Sequence, residues 1–244
     1  MKMNERVFKL LYAVPGVGLD KAELKRRERI LNSIASEGTN VEVRAVTEGP
    51  ESIESVYDEF MCVPPTTKLI QEAERSFDGV IIGCYGDPGI EAIRETVRIP
   101  VVGPGESSML FASLVGRRFS VVTIAKSVFP MIEGVAERVG VASKLISIRE
   151  TEMRVLDVGV DVERSKRKIE DASVKAIRED GADTIILGCM SEAFLGFDKE
   201  LSKSLGVPVI NPVATAVKVA EGLMSSGLTH SKLAYPSRGE LVRN

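Results

Sequence analysis

The chain has 244 residues, 44% of them hydrophobic and 27% charged, with a formal net charge of -3. This is the composition of a globular protein with a substantial core, and it carries no electrostatic footprint for nucleic acid or an acidic membrane. Aromatics are only 5%, Trp is absent, and no apolar run approaches the ~20 residues of a bilayer span, so neither a base-stacking platform nor a membrane anchor is expected.

Short β-branched runs alternate with longer amphipathic stretches along the chain, the pattern of an α/β protein with mostly parallel sheets. The N-terminal segment lacks a signal-peptide cleavage site and reads as leading into a first strand, residues 7–14. A cytoplasmic location and three reduced cysteines are therefore expected. The loop Pro15-Gly16-Val17-Gly18 lacks the third glycine of a dinucleotide fingerprint and the Lys-Ser/Thr of a P-loop. It can still turn backbone N–H groups toward a ligand. Helix is expected over 21–36, where Lys25-Arg26-Arg27 reads as a solvated face. A strand at 41–46 and two helices, 52–60 and 66–76, follow, separated at Pro64-Pro65. Cys62 lies between them and reads as a small buried hydrophobe.

Strands are then expected at 79–84, 101–103, 119–123, 144–148, 184–189 and 207–211. The matching helices are 89–97, 105–115, 128–139, 163–180, 199–205 and 214–226. The helix at 163–180 is well marked: Ile169, Ala172, Ser173, Ala176 and Ile177 recur at helical spacing, and Gly181 ends it.

A faint twofold repeat runs through this order. Val80-Ile81-Ile82-Gly83-Cys84 and Thr184-Ile185-Ile186-Leu187-Gly188-Cys189 are both apolar runs ending in Gly-Cys. Each is followed by a helical segment and then by a second run ending in proline, Pro104 in one case and Pro212 in the other. The expected architecture is two lobes, each with a mostly parallel sheet flanked by helices. Residues 1–100 and 208–244 form lobe one and 101–207 form lobe two, with the active site in the cleft between them, where ligands of α/β proteins collect.

One strand-terminal cysteine alone would more often be core than catalyst. The pair changes the balance, because two thiols facing one carbon acid can pass a proton from one side to the other. A thiol just before a helix is also expected to have its pKa lowered by the helix N-terminus. Other routes are weaker. His230 is the only histidine and reads as a surface-loop residue near the C-terminus, and one His with three scattered Cys gives little support for zinc.

The run Gly83-Cys84-Tyr85-Gly86-Asp87-Pro88-Gly89, with Pro100-Val101-Val102-Gly103 and Glu106-Ser107-Ser108, resembles the hydantoin racemase branch of the aspartate/glutamate racemase superfamily. Gly49-Pro50-Glu51-Ser52-Ile53-Glu54, the run from Arg117 to Thr123, and Ile186-Leu187-Gly188-Cys189-Met190 extend the likeness over roughly residues 7–226. The resemblance implies a pseudo-symmetric two-lobed fold, no cofactor, and racemisation at C5 of 5-substituted hydantoins or the ureide allantoin. It implies Cys84 and Cys189 as the acid/base pair. Tyr85, Gly86, Thr123, Gly188, Met190 and Pro212 fall in substrate-contacting segments, and Glu106 lies close to them.

Aspartate and glutamate racemases carry Asn-Thr after their cysteines. Tyr-Gly and Met-Ser stand there in this chain, which argues against those amino acids as substrates. Many hydantoin racemases also carry Asn-Pro-Asn after the first strand, where this chain has Val14-Pro15-Gly16-Val17. The alternatives are an isomerase or decarboxylase of small carboxylic acids on the same fold, or a non-catalytic protein that binds a small ligand. The expected partner is a small-molecule substrate, and self-association into a homo-oligomer is the default for a soluble enzyme.

Overall fold

The computed structural model describes residues 7–237. Its first sheet contains β1 (Phe8–Val14), β2 (Thr39–Ala45), β3 (Gly79–Ile82) and β4 (Val101–Val102), in the order β2-β1-β3-β4. The second contains β5 (Phe119–Thr123), β6 (Leu145–Glu150), β7 (Thr184–Leu187) and β8 (Val209–Ile210), in the order β6-β5-β7-β8. Every pairing is parallel. The two sheets thus repeat one topology, as the duplicated Gly-Cys runs predict.

The helices are α1 (Lys21–Ile34), α2 (Val56–Ala73), α3 (Ile90–Thr96), α4 (Pro104–Val115), α5 (Phe129–Arg138), α6 (Val162–Arg178), α7 (Met190–Ala193), α8 (Asp198–Leu205) and α9 (Pro212–Ser225). Asp20 caps α1 by accepting the Glu23 N–H at 2.8 Å, which satisfies one of the free donors of the first turn.

The lobes exchange helices. After β4, α4 leaves the first sheet and packs on β7 and α5; after β8, α9 returns to α1, β3 and β4. Both crossings start with proline as the first helical residue, where its missing N–H costs nothing. This moves the lobe boundaries. β4 pairs with β3 and β8 with β7, so the chain changes lobe after each short strand, not before it at 100/101 and 207/208.

Two other elements differ from expectation: the short α7 was not expected as a helix, and two expected helices are joined. The helices expected at 52–60 and 66–76 are a single helix, α2, with Pro64 and Pro65 inside it. The two prolines leave the carbonyls of Phe60 and Met61 without their usual N–H donors. Those residues are 71% and 49% exposed, so water can serve the freed groups and the helix continues.

The alternation of β1 divides the core. Leu10, Tyr12 and Val14 join a cluster that runs through both lobes, while Leu11 and Ala13 join a second one with Ile70, Val80, Ile82 and Ile90. The face of β1 that carries Tyr12 therefore looks into the interlobe region.

Candidate active site

The two Gly-Cys steps are built alike. β3 ends at Ile82, and the Gly83 N–H then donates to the Ala13 carbonyl at 2.7 Å. β7 ends at Leu187, and the Gly188 N–H donates to the Val122 carbonyl at 2.6 Å. Neither position has room for a side chain. A Cβ on Gly83 would stand 2.8 Å from both the Ala13 oxygen and the Tyr12 ring; one on Gly188 would stand 2.4 Å from Val121 Cγ1. Each glycine lets its strand end press against the central strand of its sheet, and the next residue, a cysteine, emerges beyond the carboxyl edge.

Cys84 and Cys189 line one cleft between the lobes, with about 660 Å³ of empty space including its mouth. Tyr85, Gly86, Thr123, Gly188 and Met190 line it too. Thr123 is buried and donates its hydroxyl to the Gly188 carbonyl at 3.0 Å, which fixes the backbone ahead of Cys189. Tyr85 is buried, with its hydroxyl accepting from Ser108 Oγ at 3.4 Å.

Two expected contacts lie elsewhere. Glu106 is drawn away from the cleft: its Oε1 accepts from Arg94 Nη2 and, at 3.2 Å, from the Gly103 N–H. Pro212 opens α9 and does not line the cleft.

The Tyr-Gly-Asp-Pro-Gly stretch after Cys84 is a brace as much as a binding loop. Asp87 sits in the left-handed region at φ 52°, buried, and accepts the Gly105 and Glu106 N–H groups at 2.9 and 2.7 Å. Arg138 reaches the same carboxylate at 3.3 Å. Burial first, and then the nearby Glu106, push the Asp87 carboxyl up to about 7. The end of β3 is thereby tied to the start of α4 and so to the second lobe.

The thiols do not have the lowered pKa values expected of them. Burial pushes Cys84 well above the usual thiol value, with Cys62 adding to the rise and the Gly86 N–H opposing it. Burial also pushes Cys189 up to about 12, followed by the Glu192 carboxyl; the Glu192 and Ser191 N–H groups and Arg27 work in the other direction. Helix α3 begins only at Ile90, and α7 has four residues, so neither thiol meets a long helix dipole. Desolvation wins in both half-sites.

Two buried charged residues near Cys189 were misread or missed in the sequence. Arg27 is not on a solvated face: it is 4% exposed and lines the cleft. A signal existed, since Arg27 falls four residues before Leu31 and three after Leu24, on the apolar stripe of α1. Glu192 is 0% exposed; its Oε1 accepts from Thr151 Oγ1 at 3.0 Å, and burial raises it to about 8.

Most of the remaining lining comes from connections with no periodicity to mark them, with Met131 added by α5. Pro15, Gly16, Leu19, Ser52 and Ile53 from one lobe meet Ile124, Met131, Val155 and Leu156 from the other. The Val17 and Gly18 N–H groups, expected to face a ligand, donate instead to the Pro50 and Glu51 carbonyls at 3.0 and 2.9 Å.

The remaining candidates are accounted for. Cys62 is buried in α2, its Sγ donating to the Glu59 carbonyl at 3.1 Å. His230 is half-buried, not a surface residue, and its Nε2 accepts the Val101 N–H at 2.8 Å. That is the amino end of β4, whereas the cleft lies at the carboxyl ends of the strands, so His230 plays no part in the cleft. Burial and Arg94 hold it down at about 4. No helix among the described residues is long and apolar enough to cross a membrane, and none of their His, Cys, Asp and Glu side chains gather in threes as a metal site would require.

A repeated parallel sheet with a cysteine at the end of each third strand defines a class, and comparison with known proteins agrees. Residues 22–220 match the model of the Asp/Glu/Hydantoin racemase family, and the chain belongs to that family of isomerases. It is 38% identical over 225 residues to the hydantoin racemase of Pseudomonas sp. (strain NS671), covering 91% of this chain and 90% of that one. Among solved structures it is similar to the allantoin racemase of Pseudomonas fluorescens, with a TM-score of 0.88, 29% identity, and 94% and 96% of the two chains covered. The allantoin racemase of Klebsiella pneumoniae gives a TM-score of 0.86 at 29% identity, covering 95% and 94%.

Proposed function

We propose that this protein racemises 5-substituted hydantoins by moving the C5 proton between Cys84 and Cys189. The observation that carries this reading is the presence of both thiols, from equivalent strand ends in two lobes, in the lining of one cleft. In the scheme one cysteine acts as thiolate and takes the C5 proton. The C–H electron pair moves into the ring, and negative charge collects on the C4 oxygen. The opposite cysteine, a thiol, gives its proton to the other face of C5, which leaves the two sulfurs with exchanged protonation. No cofactor is needed, because the ring carbonyl holds the charge.

The cleft walls favour apolar C5 substituents. Val14, Leu19, Ile53, Ile124, Met131 and Leu156 line it, and among the described lining residues Arg27 is the one cation. An alkyl or aryl group suits these walls better than the ureido group of allantoin, and a dicarboxylate would find Arg27 alone to pair with.

Polarimetry of purified protein with enantiopure 5-isobutylhydantoin, and separately with allantoin, tests the reading. Decay of rotation to zero with the alkyl hydantoin, faster than with allantoin, is the expected result. Stable rotation for both would remove the proposal.

A further inference from the structure

The interlobe face of α1 carries a cation whose hydrogen-bonding capacity is only partly used. Arg27 Nε donates to Glu23 Oε1 at 2.8 Å, and its Nη2 donates to Ser191 Oγ at 2.9 Å. Its guanidinium carbon lies 4.7 Å from the centre of the Phe194 ring. An acid from its own helix, a hydroxyl and an aromatic face from α7 and its end therefore hold the group in one orientation. Nη1 makes no hydrogen bond among the described residues, and it is not one of the sealed polar atoms left unpaired in the protein interior. Arg27 lines the cleft that holds both cysteines, and also a neighbouring pocket with Glu23, Arg26 and Ser191.

A second group points to the same place. The Tyr12 hydroxyl is fully buried and makes no hydrogen bond of good geometry, its nearest donor being the Arg27 guanidinium itself. Its surroundings include Arg27, Cys84 and Cys189, and burial keeps its phenol protonated. The turn after β1 offers the cleft Pro15, Gly16 and Leu19, none with a polar side chain to compete for an anionic ligand. A buried cation with one free edge, backed by an unsatisfied hydroxyl, is costly unless a bound group uses it. Fixed donors of this kind stabilise charge that develops during a reaction, since they need no rearrangement when it appears.

We infer that Arg27 is the oxyanion contact of this site, its Nη1 edge receiving the ring oxygen that becomes negative as the C5 proton leaves. The inference rests on the hydantoin reading and assigns the residue that holds the enolate. The balance is simple. The C5–H proton goes to a cysteine thiolate, the electron pair forms the C5–C4 double bond, and the carbonyl π pair moves onto oxygen. Arg27 donates a hydrogen bond to that oxygen and keeps its own proton. Return of a proton to C5 from the opposite thiol restores the carbonyl.

Arg27 also helps fasten α1 to α7, so its test has to separate chemistry from architecture. Arg26 supplies the control: its Nη1 donates to the Phe194 carbonyl at 3.0 Å across the same joint, and it does not line the reaction cleft. The experiment compares the wild type, Arg27→Met, Arg27→Lys and Arg26→Ala in two measurements. The first is racemisation of 5-isobutylhydantoin. The second is calorimetric binding of tetronate, a planar five-membered cyclic enolate, against the neutral lactone γ-butyrolactone.

Arg27→Met is expected to lose roughly a hundredfold in kcat with little change in KM, and Arg27→Lys to recover part of that loss. The wild type is expected to prefer tetronate by about tenfold or more, a preference absent in Arg27→Met and intact in Arg26→Ala. A kcat for Arg27→Met within about threefold of wild type, or retention of its tetronate preference, overturns the inference. Equal kcat losses in Arg26→Ala and Arg27→Met also overturn it, because the joint would then explain both. If the wild type fails to racemise hydantoins yet shows an Arg27-dependent tetronate preference, the anion contact stands and the reaction assigned to it falls.

Discussion

Behind Cys84 the chain turns through residues 85–89 before α3 begins, whereas Cys189 is itself the residue from which α7 starts. The Cys84 half is tied to the other lobe by the Asp87 carboxylate, which accepts the first N–H groups of α4 and a donor from Arg138. The Cys189 half is tied across by Arg27 and Arg26, which reach Ser191 and the Phe194 carbonyl from α1. One half-site is backed by an acid and the other by a cation. Duplication of the sheet delivers two sulfurs to similar positions, and the unlike loops around them set unlike electrostatics. The two thiols therefore need not share one pH dependence.

The largest effects should come from the shared features. Alanine at Gly188 or at Gly83 forces a Cβ into the central strand of its sheet, and each variant should lose roughly 3 kcal/mol of stability, read by denaturant unfolding. A near-neutral result at one position would show that its half of the cleft is looser than its counterpart.

A smaller effect tests how the halves differ. Because burial raises both thiols, the free cleft holds few thiolates at neutral pH. Between pH 6 and 7.5, kcat/KM should rise by about tenfold per pH unit for both enantiomers. Above pH 8 Glu192 ionises and opposes a Cys189 thiolate, so C5 hydrogen exchange by Cys84→Ser, where Cys189 alone can remove the proton, should flatten there while exchange by Cys189→Ser keeps rising. Adding Glu192→Gln to Cys84→Ser should straighten its profile. Equal bends in the two cysteine variants would contradict the assignment.

The smallest effect concerns stability. The folded pKa of Glu192, about 8, lies above its ordinary value of 4.5. Its protonated form therefore favours the fold below pH 4.5, and that contribution is lost as pH rises through 8. The Tm of Glu192→Gln relative to wild type should climb between pH 5 and 8.5 by several degrees. A gap that stays constant would mean that Glu192 titrates normally.

These contrasts also mark what the sequence made legible. Apolar runs that end in Gly-Cys located both strand ends, and the β5 boundaries came out unchanged, because buried parallel strands leave a continuous β-branched signal. The exchange of helices between lobes was not legible, since β4 and β8 are two residues long and their pairing is settled by contacts far away in the chain. The thiol pKa values were misjudged for a related reason. A following helix is visible locally, while burial of the sulfur depends on the opposite lobe. Arg27 was hidden by its neighbours: Lys25 and Arg26 are partly or wholly exposed, so the triplet read as surface although its third member turns inward.

The most direct test of the two-thiol account is deuterium uptake at C5 of each enantiomer of 5-isobutylhydantoin in D₂O, followed by NMR for wild type, Cys84→Ser and Cys189→Ser. The account predicts that both single variants lose on the order of a thousandfold in racemisation, and that each still exchanges the C5 hydrogen of one enantiomer, the opposite one in the two variants. Racemisation at the wild-type rate by either variant would contradict it.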